Sequence, residues 1–276
     1  MTININGTLL DLSTPKIMGI LNITPDSFYD GGEFNSDKKI LNQVEKMIIE
    51  GVDIIDIGGY SSRPGAKEVN INDEILRVIP TIELIKNKFI DTIISIDTFR
   101  SEVAKKAINS GASIINDISA GDLDSNMFNC VAELKVPYIM MHMKGTPNSM
   151  QKNPTYQNVI NEIVENLSKK LFSAKKAGIV DVIIDPGFGF GKTLDHNYCI
   201  LNNLSFFKEL DCPILVGISR KSMVYKLIKK NPENSLNGTT CLNTISILNG
   251  AKILRVHDVK EAKEVITLTN FLNKKS

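Results

Sequence analysis

Short runs of β-branched and other apolar residues alternate with longer stretches whose apolar positions recur at helical spacing, and the alternation continues along the whole chain. Eight runs have strand character: residues 17–21, 52–57, 92–96, 113–115, 138–141, 182–184, 214–216 and 253–256. Helical patterns fall near 37–50, 72–88, 101–109, 125–134, 156–177, 196–208, 221–230, 239–249 and 259–273. Strands that are apolar on both faces suit a parallel sheet covered on both sides. Eight strand–helix pairs with one helix to spare predict an α/β fold, a (β/α)8 barrel of the TIM type. Residues 1–14 stand before it and alternate weakly around Asn6-Gly7, which predicts a short hairpin closing the bottom of the barrel. No linker or charge block divides residues 15–276, which are expected to form a single barrel domain.

Composition narrows the function classes. A net charge of +1 over 276 residues argues against a nucleic-acid partner held by bulk electrostatics. Four cysteines (Cys130, Cys199, Cys212, Cys241) lack Cys-x-x-Cys spacing, so neither a zinc knuckle nor a disulfide framework is indicated, and a reducing cytoplasm is the expected setting. No apolar run approaches the roughly 20 residues that span a bilayer, so no membrane segment is expected.

Chemistry enters at the strand ends. In chain order they carry Asn22, Asp56, Asp97, Asn116-Asp117, His142, Asp185, Ser219-Arg220-Lys221, and Arg255 with His257. In a parallel barrel these ends share one rim, where the βα loops build the active site. Asn, Asp and Ser at any one of these positions could equally cap the next helix, but capping does not account for His142, Lys221, Arg255 and His257. The stretch Asp185-Pro186-Gly187-Phe188-Gly189-Phe190-Gly191-Lys192-Thr193 nearly matches a phosphate-binding P-loop. Pro186, which has no N–H, stands where that motif needs its first glycine, and the glycine spacing does not fit a dinucleotide fingerprint either. The reading left is a strand-end carboxylate followed by a loop whose glycines allow close backbone approach, with Lys192 structural or at the surface.

Taken together, Gly19-Ile20-Leu21-Asn22-Ile23-Thr24-Pro25-Asp26, Ser62-Arg63-Pro64-Gly65, Ser95-Ile96-Asp97-Thr98, Asn116-Asp117, Met141-His142-Met143, Asp185-Pro186-Gly187, Gly217-Ile218-Ser219-Arg220-Lys221-Ser222 and Arg255-Val256-His257-Asp258 closely resemble the dihydropteroate synthase family. The resemblance uses all eight strand ends in order, from about residue 17 to the C-terminus. It implies a transferase of folate biosynthesis that condenses 6-hydroxymethyl-7,8-dihydropterin diphosphate with p-aminobenzoate. By the same resemblance Asp97, Asn116 and Asp185 meet the pterin, and Lys221 reaches both pterin and aminobenzoate. Arg63, Arg255 and His257 serve the diphosphate. Ser62, Arg63, Pro64, Phe190 and Ser219 line the aminobenzoate side, in loops 23–35 and 61–68 and beyond. Asn22 is implied as the protein ligand of Mg²⁺, and a homodimer through late helices of the barrel is implied as the assembly. Arg255 and His257, two apart on a strand, would face the same way. The chain departs from the family pattern at Tyr60, where glutamate is usual, and at Ser62, where threonine is usual.

Three other readings remain. A barrel methyltransferase acting on a folate would share the pterin contacts but would not need Arg255-x-His257 or Ser219-Arg220-Lys221. A metal-dependent aldolase would want clustered His and carboxylate ligands, whereas His142, His196 and His257 lie in unrelated contexts. A non-catalytic pterin-binding subunit would have no use for Lys221, Arg255 and His257.

Overall fold

The computed structural model describes residues 1–23, 33–60, 69–147 and 149–273. The chain opens with β1 (Thr2–Ile5) and β2 (Thr8–Asp11), an antiparallel pair whose turn residues Asn6 and Gly7 both take positive φ, 50° and 88°. Both central residues of a two-residue type I′ turn need that conformation, which Asn and Gly adopt most cheaply.

The barrel follows as β3 (Lys16–Asn22), α1 (Glu33–Ile49), β4 (Ile54–Gly58), α2 (Ile71–Lys88), β5 (Ile93–Asp97), α3 (Ser101–Asn109), β6 (Ile114–Asp117) and α4 (Met127–Leu134). It continues through β7 (Tyr138–Met141), α5 (Val159–Ala177), β8 (Val182–Asp185), α6 (Leu194–Asn202), β9 (Leu215–Val216), α7 (Ser222–Tyr225), α8 (Leu236–Leu248), β10 (Ile253–Val256) and α9 (Val259–Asn273). The parallel strands run in the order β8-β7-β6-β5-β4-β3-β10-β9, and a parallel bridge between Ile184 and Ile214 brings β8 against the start of β9. The eight-stranded α/β barrel expected from the periodicity is the observed architecture.

Strand ends were legible to within a residue or two; helix ends were less so. α5 starts at Val159 because the Asn158 side chain accepts from the Asn161 amide, an N-cap that stops the helix extending back to 156. The pattern over 196–208 divides into α6 and a 3₁₀ turn at Leu204–Leu210. The helix expected over 221–230 shrinks to α7. Beyond it Leu227 and Ile228 point to solvent and Lys229 takes a positive φ of 55°, so no buried apolar stripe sustains the helix.

Strand geometry divides the side chains into two populations, since alternate residues face opposite sides. Ile55, Ile57, Ile94, Ile96, Ile115 and Leu254 face outward and pack with Val44, Val78 and Ile82 of the helical layer. Met18, Ile54, Ile114, Ile139, Ile183, Leu215 and Ile253 face inward at the N-terminal end and form a separate apolar cluster with Ile3, Ile5 and Leu12 of the hairpin segment. The hairpin is therefore a plug. Two polar contacts hold it, Asn6 Nδ2 to Ser113 Oγ at 2.9 Å and Asn4 N to Asp181 Oδ2 at 3.3 Å. No helix among the described residues is long and apolar enough to cross a membrane.

Leu12 is fully buried at the join of plug and barrel. Leu12→Ala is expected to lower the unfolding free energy by about 2–5 kcal/mol, measured by urea denaturation, with ligand binding at the opposite end unchanged. A loss under about 1 kcal/mol would mean that the plug does not stabilise the barrel.

Candidate active site

The alternation that makes the lower inward layer apolar makes the layers above it polar. One step up from Ile54, Ile93, Ile114, Ile183 and Ile253 along their strands stand Asp56, Ser95, Asn116, Asp185 and Arg255; a further step brings Asp97 and His257, with Asn22 at the end of β3. Parallel register sets neighbours side by side: Asp56 opposite Ser95, and Asp97 opposite Asn116. Asp117, by the same rule, faces the helices. Its carboxylate accepts from the Tyr138 hydroxyl at 2.6 Å and from the Ser119 and Gly121 amides at 2.7 and 2.8 Å, so it staples the β6–α4 loop and stands outside the polar interior.

Arg255 and Asp56 are the centre of the interior network. Arg255 Nε donates to Asp56 Oδ2 at 2.6 Å, and Nη2 donates to Asp97 Oδ2 at 2.6 Å. Asn116 Nδ2 also donates to Asp56 Oδ2, at 3.1 Å. Burial raises the Asp97 pKa to about 7; Arg255 pulls it down, and Asp56, Glu74 and Asp117 add to the rise. Burial opposes the charge on Arg255, but Asp56 and Asp97 outweigh it and hold its pKa above the ordinary arginine value. Among the described residues no partner reaches Asp56 Oδ1 or Ser95 Oγ, two buried acceptors at paired register positions. A buried polar atom without a partner costs about 1–3 kcal/mol. Asp56 is the residue to which sequence reasoning gave no role. A single carboxylate inside Ile54-Ile55-Asp56-Ile57, in a strand otherwise fully buried, was the available signal.

The glycine stretch bends across the mouth beside this network. Asp185 Oδ1 accepts from the Gly187 amide at 2.7 Å; burial raises the Asp185 pKa, opposed by Lys221 and by that amide. Lys221 Nζ donates to the Phe188 carbonyl at 2.5 Å and lies 4.6 Å from the centre of the Phe190 ring. Burial lowers the Lys221 pKa to about 8, with Asp185 resisting and Arg255 assisting the fall. Gly187 has φ +74°, and a Cβ there would come within 1.9 Å of the His142 carbonyl, so the loop approaches the end of β7 more closely than any other residue permits. Lys192 is 3% exposed, which removes the surface alternative: its ammonium lies 3.0 Å from His142 Nδ1 and donates to the His142 and Phe190 carbonyls. Ser219 Oγ lies 3.0 Å from His257 Nδ1 and accepts from the His257 amide. Arg220, at φ 55°, turns away to pair with Asp258.

The structure thus brings Asp97, Asn116, Asp185, Phe190, Ser219, Lys221, Arg255 and His257 to one end of the barrel. Ser62, Arg63 and Pro64 lie outside the described residues, as do most of loops 23–35 and 61–68. Tyr60, at the edge of the second loop, packs edge-on against Phe99 with ring centres 5.2 Å apart, and the Arg100 guanidinium lies 5.5 Å from its ring. Arg100 also pairs with Glu74 at 2.6 Å and donates to the Val69 carbonyl, so an aromatic ring at position 60 has a ready cationic partner. Asn22 offers a hard amide oxygen near Gly58, where a Cβ would stand 3.6 Å from Oδ1. Among the described residues no group of three His, Cys, Asp or Glu side chains is gathered to hold a metal. A cation there would have Asn22 and oxygens of its own ligand, a donor set that suits Mg²⁺.

Comparison with known proteins places this geometry among relatives. The family model for pterin binding enzymes matches residues 18–257. The chain is 44% identical over 268 residues to the dihydropteroate synthase of Haemophilus influenzae, covering 96% of this chain and 97% of that one. It is 44% identical over 262 residues to the Escherichia coli K12 enzyme of the same name, covering 94% and 92%. Among solved structures it resembles the Yersinia pestis dihydropteroate synthase in a sulfonamide drug complex, with TM-score 0.93, 38% identity and 100% of both chains covered. It also resembles the Xanthomonas albilineans dihydropteroate synthase with 4-aminobenzoic acid, with TM-score 0.91, 37% identity and coverage of 99% and 98%.

Asp56→Ala removes the shared acceptor of Arg255 and Asn116. Unfolding free energy is expected to fall by about 3 kcal/mol, measured in denaturant at pH 7, because half of a buried pair is left behind. A change within about 1 kcal/mol would show that the pair contributes no more than an exposed one.

Proposed function

The chain belongs to the pterin-binding enzymes, as a dihydropteroate synthase, and we propose how its residues share the reaction. It is a transferase of folate biosynthesis that joins 6-hydroxymethyl-7,8-dihydropterin diphosphate to p-aminobenzoate, giving 7,8-dihydropteroate and pyrophosphate. The observation that carries the assignment of roles is the convergence of Asp97, Asn116, Asp185 and Lys221 on one mouth around the Arg255 network. Carboxylate and amide side chains match the donors and acceptors along the edge of a pterin ring. Asp185, Asn116 and Asp97 take that edge, and Lys221 stands between the pterin and the second substrate.

Arg255, His257 and Arg63 serve the diphosphate, where negative charge accumulates as the bond to the methylene carbon breaks. Asn22 would hold Mg²⁺, which when bound supplies charge neutralisation to the phosphate oxygens. The C–O bond breaks first, its electron pair leaving with pyrophosphate, and the cation left on the dihydropterin is stabilised by the charges of Asp97 and Asp185. The neutral arylamine nitrogen then attacks the methylene carbon and loses its proton to water. Ser62, Arg63, Pro64, Phe190, Ser219 and Lys221 line the aminobenzoate side. The cytoplasm suits four cysteines without a disulfide among them. A homodimer through α8 and α9 is supported by the exposed Ile245, Leu248, Leu268 and Leu272 on those helices.

Incubation of the purified protein with the pterin diphosphate, p-aminobenzoate and Mg²⁺ is expected to release pyrophosphate and dihydropteroate in equal amounts. Binding of the pterin with neither product formed would overturn the reading. Arg255→Ala is expected to weaken binding of the pterin diphosphate about tenfold more than binding of the hydroxymethyl-dihydropterin that lacks phosphate, by calorimetry. Equal losses would remove the diphosphate role from Arg255.

Of the shifted groups at the mouth that are assigned to substrate, Asp97 and Lys221 have pKa values of about 7 and about 8, and these two set the pH profile. Asp97 acts as the anion, and its pKa is raised to about 7, so kcat/KM rises as pH climbs through that value. Lys221 acts as the cation, and its pKa is lowered to about 8, so activity falls above that value. Lys221→Arg is expected to lose the alkaline limb while keeping the acid one. An unchanged alkaline limb would assign it to another group.

A further inference from the structure

Four consecutive backbone carbonyls of the glycine loop are each held by a different side chain. Lys221 Nζ donates to Phe188 O at 2.5 Å, Gln151 Nε2 to Gly189 O at 2.7 Å, Lys192 Nζ to Phe190 O at 2.9 Å and the Tyr156 hydroxyl to Gly191 O at 2.9 Å. The loop carries a turn bond of its own, Phe190 N to Gly187 O at 3.1 Å, but Gly187, Gly189 and Gly191 all take positive φ and glycine restricts the backbone least. The four side chains hold it from outside.

Lys192 is the most buried of the four side chains. Its Nζ donates to Phe190 O and, at 3.2 Å, to His142 O, and lies 3.0 Å from His142 Nδ1. Among the described residues no carboxylate lies within ion-pair distance of it; burial lowers its pKa to about 7, and the nearby Asp185 charge resists that fall. Burying an ammonium is an expensive way to hold a surface loop and a sensible way to fix one backbone atom. The atom it fixes is the carbonyl of Phe190, whose ring lies 4.6 Å from Lys221 Nζ.

We infer that Lys192, with Gln151 and Tyr156 beside it, is a positioning residue for the p-aminobenzoate side of the site, holding the Phe190 ring in place through the loop backbone. The inference rests on the reading of Phe190 as a wall of that side. Lys192 itself touches neither substrate; it acts through Phe190, and the phosphate role that a P-loop would give it is replaced by a grip on backbone oxygens.

The test uses the full-length protein. Lys192→Met keeps most of the side-chain volume and removes all three donors. KM for p-aminobenzoate is expected to rise about tenfold, with kcat and KM for the pterin diphosphate within about threefold of wild type. A purely structural role would move both KM values and the melting temperature together. Gln151→Ala and Tyr156→Phe, at less buried positions, are each expected to raise KM for p-aminobenzoate about fivefold, the equivalent of one hydrogen bond. A KM for p-aminobenzoate within about twofold of wild type in folded Lys192→Met overturns the inference, as does an equal rise in both KM values. If Lys192→Met does not fold, the other two variants decide, and an unchanged KM in both overturns it. Failure of the wild-type protein to form dihydropteroate would instead overturn the assigned reaction.

Discussion

The Arg255 guanidinium, bonded at once to Asp56 and Asp97, is what lets several carboxylates share the inside of one barrel. Without it, Asp56, Asp97 and Asp185 would repel one another in a space where burial alone already raises the Asp97 and Asp185 pKa values. With it, Asp97 titrates near neutrality and Asn116 is oriented by donating to the same Asp56 oxygen. Asp56 Oδ1 and Ser95 Oγ, buried in this layer, have no partner among the described residues, and such atoms are costly to bury. The apolar layer beneath, sealed by Ile3, Ile5 and Leu12 of the N-terminal segment, supplies the apolar burial that this polar upper layer lacks.

The polar layer is framed on one side by strands and on the other by a loop that side chains hold open. Strands β4, β5, β6 and β10 present their residues from regular backbone, so their spacing is fixed by hydrogen-bonded register. The loop after β8 has no such support, and Lys221 and Lys192 grip carbonyls on successive sides of it instead. Lys221 thereby has two jobs. Its ammonium fixes the loop and stays close enough to Asp185 to keep part of its charge against the pull of burial.

Much of this was legible from the chain alone. Apolar runs ending on Asn22, Asp97, Asn116, Asp185 and Arg255 announced a barrel with a polar rim, because strand periodicity is local and each βα unit repeats it. The Asn6-Gly7 turn and the plug were legible for the same reason. Helix limits were not, since the shortening of α7 depends on whether Leu227 and Ile228 find a surface to cover. Tyr60 had no account in the sequence because its partners, Phe99 and Arg100, lie on a neighbouring strand's loop.

What the sequence by itself determined is therefore the element order, the two-residue alternation and the set of chemical groups delivered to one end. Tertiary structure decided which of them meet. Arg255 bonds to Asp56 across 199 residues of sequence, and no local pattern could specify that contact, because it follows from how eight strands close and stagger. Alternation along β6 sends Asn116 inward and Asp117 outward, but only the assembled barrel supplies their partners, Asp56 and Tyr138. Of the two readings the sequence left for Lys192, structural or surface, the assembled barrel chose the structural one, since the approach of β7 to β8 brings the His142 carbonyl within its reach.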